Sequence, residues 1–383
     1  LAGKLRFFTL TVILAVGIIA VWRLQKAAVH PQTTNHAVIN TLTAGASEGY
    51  AKVLAPRPFS FPADHGPHDD YKTEWWYFTG NLKDASGRRF GYELTFFRIS
   101  LSPVKPQSSS AWRTNQIYMA HFALTDADTG RFHAFERFSR GAAGLAGASK
   151  EKLHIWLDDW SITPVEGTDF PLRLQAHEKQ IRLDLTLSPA KPIVLQGDRG
   201  FSKKGAGPGQ ASHYYSFTRL PTTGTLQIGN HFYSVAGNSW MDREWSTSAL
   251  SKDQAGWDWF ALQLSDGYDV MFYRLRLKNG QTDSHSAGTL IDVKGGLARL
   301  DHNNVSIQPL ATWQSPQTGI EYPAKWRLQV PQYDLDLTIE PVIPNQELNL
   351  TFKYWEGAVN IQGRHRGKPV SGQGYVELAG YHR

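Results

Sequence analysis

The chain has 383 residues, with 40 Lys and Arg against 34 Asp and Glu, a formal charge of +6. Four basic residues (Lys4, Arg6, Arg23, Lys26) and no acidic one fall within residues 1–47, so the remaining 336 residues carry 36 basic and 34 acidic side chains, a net charge of +2. A nearly neutral body excludes a broad nucleic-acid surface, and the absence of cysteine excludes disulfides, thiolate metal sites and cysteine nucleophiles.

In chain order, Phe7–Trp22 comes first, sixteen residues without a charge. As a helix it spans ~24 Å, with Arg6 and Arg23 able to snorkel and Trp22 suited to the interface. Residues 1–24 are therefore expected to be an uncleaved transmembrane anchor with its N-terminus inside. Residues 25–57, rich in Ala, Thr, Asn, Gly and Ser, are expected to be a linker with a reach of roughly 30 Å. Two glycine motifs carry no chemistry. Gly45-Ala46-Ser47-Glu48-Gly49 has no strand before it or helix after it, as a nucleophile elbow requires. Gly205–Gly209 opens no helix that could cradle a phosphate.

From Thr73 onward the chain alternates and turns. The pattern predicts hairpins from Thr73–Leu82 with Phe90–Ile99, Ile117–Thr125 with Phe132–Phe138, and Leu172–His177 with Ile181–Leu187. Thr225–Ile228 pairs with Phe232–Val235, and Trp257–Leu264 with Asp269–Leu277 across Asp266-Gly267. Many short strands with almost no helical periodicity argue for barrels or sandwiches. Trp75-x-Tyr77-x4-Leu82-x-Asp84 followed by Phe96-Phe97-Arg98 matches Trp257-x-Trp259-x4-Leu264-x-Asp266 followed by Phe272-Tyr273-Arg274. We read two copies of one β unit, residues 58–249 and 250–383.

The candidate chemistry is carboxylate chemistry among aromatics: 12% of the residues are aromatic, including 13 Trp. Glu93 and His121 each interrupt an apolar strand. Period-two alternation puts Trp240, Asp242 and Glu244 on one face and Arg243 and Trp245 on the other. Glu74 precedes Trp75-Trp76, and Glu356 follows Tyr354-Trp355. A carboxyl beside indole in an apolar pocket has a raised pKa and can donate a proton near neutral pH; the alternative is Glu–Arg or Asp–Arg pairs stitching strands together. The candidate acids and bases are thus Glu74, Glu93, His121, Asp242 and Glu244. The candidate pocket residues are Trp75, Trp76, Tyr77, Trp240, Trp245, Trp257, Trp259, Tyr354, Trp355 and Glu356. His65 and His68, in Asp64-His65-Gly66-Pro67-His68-Asp69-Asp70, have metal-ligand chemistry but no clear third ligand, and a polar loop is the preferred reading. No motif calls for a cofactor.

Phe61–His68, Tyr71–Gly80, His213–Ser216, Gly237–Ser246, Gly256–Phe260, Tyr354–Val359 and Gly374–Tyr381 together resemble the signature of the AttH-type, carotenoid 1,2-hydratase-related lipocalin-like proteins, over residues 56–383. The resemblance implies an all-β fold, two lipocalin-like (calycin) β-barrel domains in tandem, here preceded by one N-terminal transmembrane helix and a flexible linker. Some members of that family hydrate a terminal alkene of a carotenoid without a cofactor. Many bacterial members are named as secreted hydrolases or as the extracytoplasmic part of an ABC export system with an FtsX-like permease. Two readings follow. In the first, a body held in the periplasm at the bacterial inner membrane binds a lipid or isoprenoid beside an ABC transporter permease; a purely architectural subunit of a membrane complex is its weaker variant. In the second, a cofactor-free hydratase or isomerase protonates an apolar alkene, the cation being stabilised by Trp75, Trp76 and Trp240. Neither involves nucleic acid.

Overall fold

The computed structural model describes residues 47–105, 107, 110–248 and 250–381. The expected anchor and most of the expected linker lie outside these residues. No helix among the described residues is long and apolar enough to cross a membrane.

Strands begin where the alternation predicts and run further. The first pair spans Thr73–Asp84 and Arg89–Ser100, followed by Gln116–Asp126 and Arg131–Arg140. The short Thr225–Ile228 and Phe232–Val235 hairpin is the tip of two long strands, Ala211–Ile228 and His231–Ser246. Their outer halves carry the buried polar residues Ser212, Ser216, Asp242 and Glu244, which dilute the apolar pattern.

Residues 73–246 supply a thirteen-stranded sheet and residues 254–379 a ten-stranded one, all antiparallel and each barrel-like. Each sheet is built on the same long-range pairing. Thr73–Asp84 lies between Arg89–Ser100 and the last strand of its half, His231–Ser246. Gln254–Leu264 lies likewise between Asp269–Leu277 and Lys368–Ala379, the last strand of the chain. This shared scheme gives the repeated hairpin a structural counterpart.

The interior of each barrel is filled by alternate residues. Trp76, Phe78, Leu94, Phe96, Met241 and Trp245 pack within the first, and Phe260, Phe272, Trp326, Trp355, Val376 and Leu378 within the second. Each such side chain stabilises the fold by about 1.5–3 kcal/mol through burial. The opposite faces meet one another. Tyr77, Tyr214 and Trp240 from the first sheet form one cluster with Trp259, Tyr273 and Tyr375 from the second. Gly91 permits this approach, since a Cβ there would lie 2.5 Å from Ala358 Cβ. The seam is polar as well: Asn81 Nδ2 donates to Gly374 O at 2.9 Å, and Gln263 Nε2 to Thr218 O at 2.7 Å and Ser239 O at 3.0 Å.

The end of the expected linker differs from a free tether. Tyr50 and Val53 are buried, Tyr50 Oη donates to Ser100 O at 2.8 Å, and Thr247 Oγ1 donates to Ala51 O at 2.6 Å. Composition hides this, because two apolar side chains suffice to pin a polar segment to a sheet.

Candidate active site

The two packed faces carry a group of acids that no single strand announces. Glu93 comes from Arg89–Ser100, Asp242 and Glu244 from His231–Ser246, Glu356 from Lys353–His365 and Glu377 from Lys368–Ala379. Register brings them together: Glu377 stands directly opposite Glu356 on one side and Trp259 on the other, and Asp242 stands opposite Tyr77. Tyr77 crosses the seam and donates its hydroxyl proton to Glu356 Oε1.

Burial decides the protonation of this group. Glu93 is fully buried and neither carboxyl oxygen makes a well-formed hydrogen bond. Desolvation pushes it up to about 8, with the neighbouring Thr95 hydroxyl opposing and the Glu377 charge reinforcing the rise. Glu356 is driven well above the carboxylate range by burial and then by Glu93 and Glu377, and its Oε2 is unpartnered. Glu377 is pushed up to about 7 by desolvation, despite the Trp257 indole on its charged form; Asp242 and Glu244 raise it further. Asp242 is raised to about 6 by burial, although Ser216 Oγ and Trp240 Nε1 donate to Oδ1 at 2.5 and 2.7 Å and Tyr214 donates to Oδ2. Glu244 accepts from Ser212 and lies 3.3 Å from Lys204 Nζ. At neutral pH these shifts favour the protonated form of Glu93 and Glu356. Glu93 Oε1 and Oε2, Glu356 Oε2 and Tyr375 Oη, all without a well-formed hydrogen bond, belong to this one group. Trp75, Trp257 and Glu377 are half-buried, while Glu93 and Glu356 are closed off, so the group has a wetter edge and a dry end.

The expected site residues divide by strand face. Glu93, Asp242, Glu244, Trp75, Tyr77, Trp240, Trp257, Trp259, Tyr354 and Glu356 lie on the packed faces, with His121 beside Tyr354 at 2.6 Å between Nδ1 and Oη. Glu74, Trp76, Trp245 and Trp355 do not join them; they point into the barrels. Glu74 is the clearest departure from the sequence reading. Burial alone would raise its pKa, but Arg98 and Arg243, which bind its two oxygens, outweigh burial and hold it well below the usual range. It is an anion with no proton to give. The Arg243 guanidinium also lies 4.0 Å over the Trp76 ring, so Trp76 serves that ion pair rather than a ligand.

His65 and His68 are engaged elsewhere. His65 Nδ1 meets Tyr215 Oη at 2.6 Å; His68 meets Asp64 Oδ1 at 3.1 Å and Arg243 Nη2 at 3.1 Å, and stacks on Trp245 at 3.7 Å. A guanidinium in contact disfavours a cation there, and no group of three potential ligands is gathered among the described residues.

Glu377, Tyr214 and Tyr375 are additions the sequence reading missed. Glu377 was open to the test that singled out Glu93, a lone acid within the apolar run Tyr375-Val376-Glu377-Leu378.

The AttH-like family model matches residues 52–381. A crystal structure of an AttH protein from Nitrosomonas europaea superposes with a TM-score of 0.77 at 32% identity, covering 87% of this chain and 100% of that one. Kievitone hydratase from Nectria haematococca superposes with a TM-score of 0.65 at 17% identity over 87% of this chain and 96% of that one, a likeness of fold. Among curated proteins, dehydratase asqC of Emericella nidulans is 24% identical over 223 residues, 54% of this chain and 60% of that protein. Kievitone hydratase of Fusarium solani subsp. phaseoli is 22% identical over 221 residues, 54% and 59% respectively. The chain thus spans less than two thirds of the length of these two curated relatives.

Proposed function

The chain belongs to the AttH-like family, and from that premise we propose that it is a cofactor-free enzyme of the hydratase class, acting on an apolar alkene between its two barrels. The observation that carries this reading is the group of buried carboxyls raised into the neutral range, with Glu93 at about 8 and neither of its oxygens in a well-formed hydrogen bond. A neutral carboxylic acid in an apolar surround is a proton donor at physiological pH. The hydratase and dehydratase named among the relatives lend the reading further support.

In the forward direction, Glu93 or Glu356 gives its proton to one alkene carbon. The positive charge that develops on the other carbon faces the π-systems of Tyr77, Trp240 and Trp259 and the carboxylate just formed. Water adds its oxygen to that carbon and returns one proton to the carboxylate, so one alkene and one water give one alcohol. The reverse sequence is a dehydration. A binding-only role beside a transporter would use the same apolar surface but has no need of carboxyls held protonated. Tethering through the Phe7–Trp22 segment would place the body near the membrane, where apolar alkenes dissolve.

The test is incubation with a panel of isoprenoid alkenes in isotope-labelled water. The expected result is labelled alcohol from the unaltered protein and none from Glu93→Gln and Glu356→Gln variants that retain the wild-type circular dichroism. Turnover undiminished in both variants would defeat the mechanism.

A further inference from the structure

Glu93 and Glu356 lie at the dry end of the site, with 0% and 1% of their surface exposed. A hydrogen-bonded chain starts beside that end. Tyr354, two residues before Glu356 and on the same face of Lys353–His365, has its Oη 2.6 Å from His121 Nδ1. His121 is itself buried, and its Nε2 lies 3.2 Å from Glu136 Oε2. The Glu136 side chain is 12% exposed and is fixed by the Thr351 N–H, which donates to its Oε1 at 3.3 Å. The two ends of the His121 ring therefore touch a phenol that faces the acids and a carboxylate that reaches water. The His121 ring is held in place by Phe97 at 5.5 Å and by stacking on Tyr354 at 5.6 Å.

We propose that Glu136, His121 and Tyr354 form a proton relay between solvent and the buried acids. The inference rests on the hydratase reading for its purpose, though not for its geometry. In the inward direction Glu136 takes a proton from water and passes it to His121 Nε2. The proton on Nδ1 moves to the Tyr354 oxygen, and the Tyr354 hydroxyl proton moves to the waiting carboxylate. The same path reversed carries a proton from a buried carboxyl back to water and resets the imidazole tautomer. No bond other than those to hydrogen changes: the one proton Glu136 takes from water is matched by the one that neutralises the buried carboxylate. His121 and Glu136 are thus proton-carrying and positioning residues, and they do not touch the reacting carbons. His121, one of the candidate acids and bases of the sequence, would thus act through Tyr354.

The relay is testable without a substrate. Rapid transfer of the full chain from H2O to D2O, followed by infrared spectroscopy, reads the deuteration of protonated carboxyls through their carbonyl stretch. We expect the buried carboxyl bands to shift about tenfold or more slowly in His121→Phe and in Glu136→Gln than in the unaltered chain, with backbone amide exchange unchanged. Glu136→Gln replaces a partly exposed side chain and keeps the test open if His121→Phe fails to fold. Unchanged carboxyl exchange in the variants that fold would overturn the relay. So would a slowing confined to Glu377→Gln, which would route protons through the wetter edge. Slowed exchange in a protein that hydrates no alkene upholds the relay and counts against the hydratase reading alone. Absence of any protonated-carboxyl band at neutral pH overturns both.

Discussion

Glu74 and Glu93 face each other across the logic of one hairpin. Both sit on the first two strands of the chain, both are 0% exposed, and both have aromatic neighbours. One is held well below the carboxylate range and the other is pushed up to about 8. The difference is a pair of guanidiniums. Glu74 points into the first barrel, where Arg98 and Arg243 wait for it, and Glu93 points out toward two more carboxyls from the other half. Burial by itself does not make an acid. Burial without a cation does.

The largest expected effect comes from breaking the first side of this comparison. Glu74→Gln leaves Arg98 and Arg243 buried without their counter-charge, and urea unfolding should register a loss of about 3–5 kcal/mol. A loss below about 1 kcal/mol would mean that the two arginines find other partners. On the second side, Glu93→Gln exchanges a neutral acid for an amide of the same shape. Stability at pH 6 should stay within about 1 kcal/mol while turnover falls by about 10²–10⁴-fold. A parallel collapse of stability would make Glu93 a structural group like Glu74.

The pH dependence sharpens the contrast, because the signs are opposite. Glu93 binds its proton more tightly folded than unfolded, so its contribution is full below its ordinary value of 4.5 and is lost as pH rises toward about 8. Glu74 contributes above its ordinary value, and that contribution is lost only as pH falls through its depressed folded value. Between pH 5 and 8 the Glu93→Gln variant should therefore lose less stability than the unaltered protein; denaturation midpoints at a series of pH values check this, and parallel curves would contradict it. The smallest effect concerns Trp257. Its indole favours the charged form of Glu377, so Trp257→Phe should move the Glu377 titration upward by about one pH unit or less. Nuclear magnetic resonance of the carboxyl carbon would detect it, and a downward move would reverse the assigned role.

The sequence made the strands and their faces legible because alternation is local. Trp240, Asp242 and Glu244 lie on one face as the period of two requires, with Arg243 and Trp245 on the other. Partnership was not legible. Glu74 and Arg243 are 169 residues apart and meet only because the first and last strands of one half pair. Glu356 and Glu377 face each other through a register that no local pattern states. The expectation of a pocket lined by Trp76, Trp245 and Trp355 failed for the same reason: an aromatic strand looks alike whether a given ring points into a barrel or out of it. The packed Tyr50 and Val53 were hidden by the polar company they keep.

Gly91 allows the two halves to come within touching distance, with Ala358 directly against it. Apart, each half would present its acids to water, where Glu93, Glu356 and Glu377 would be ordinary carboxylates. Their raised pKa values depend on the burial that docking supplies. Loosening that docking would let water reach the acids, which would then ionise at neutral pH and have no proton left to donate.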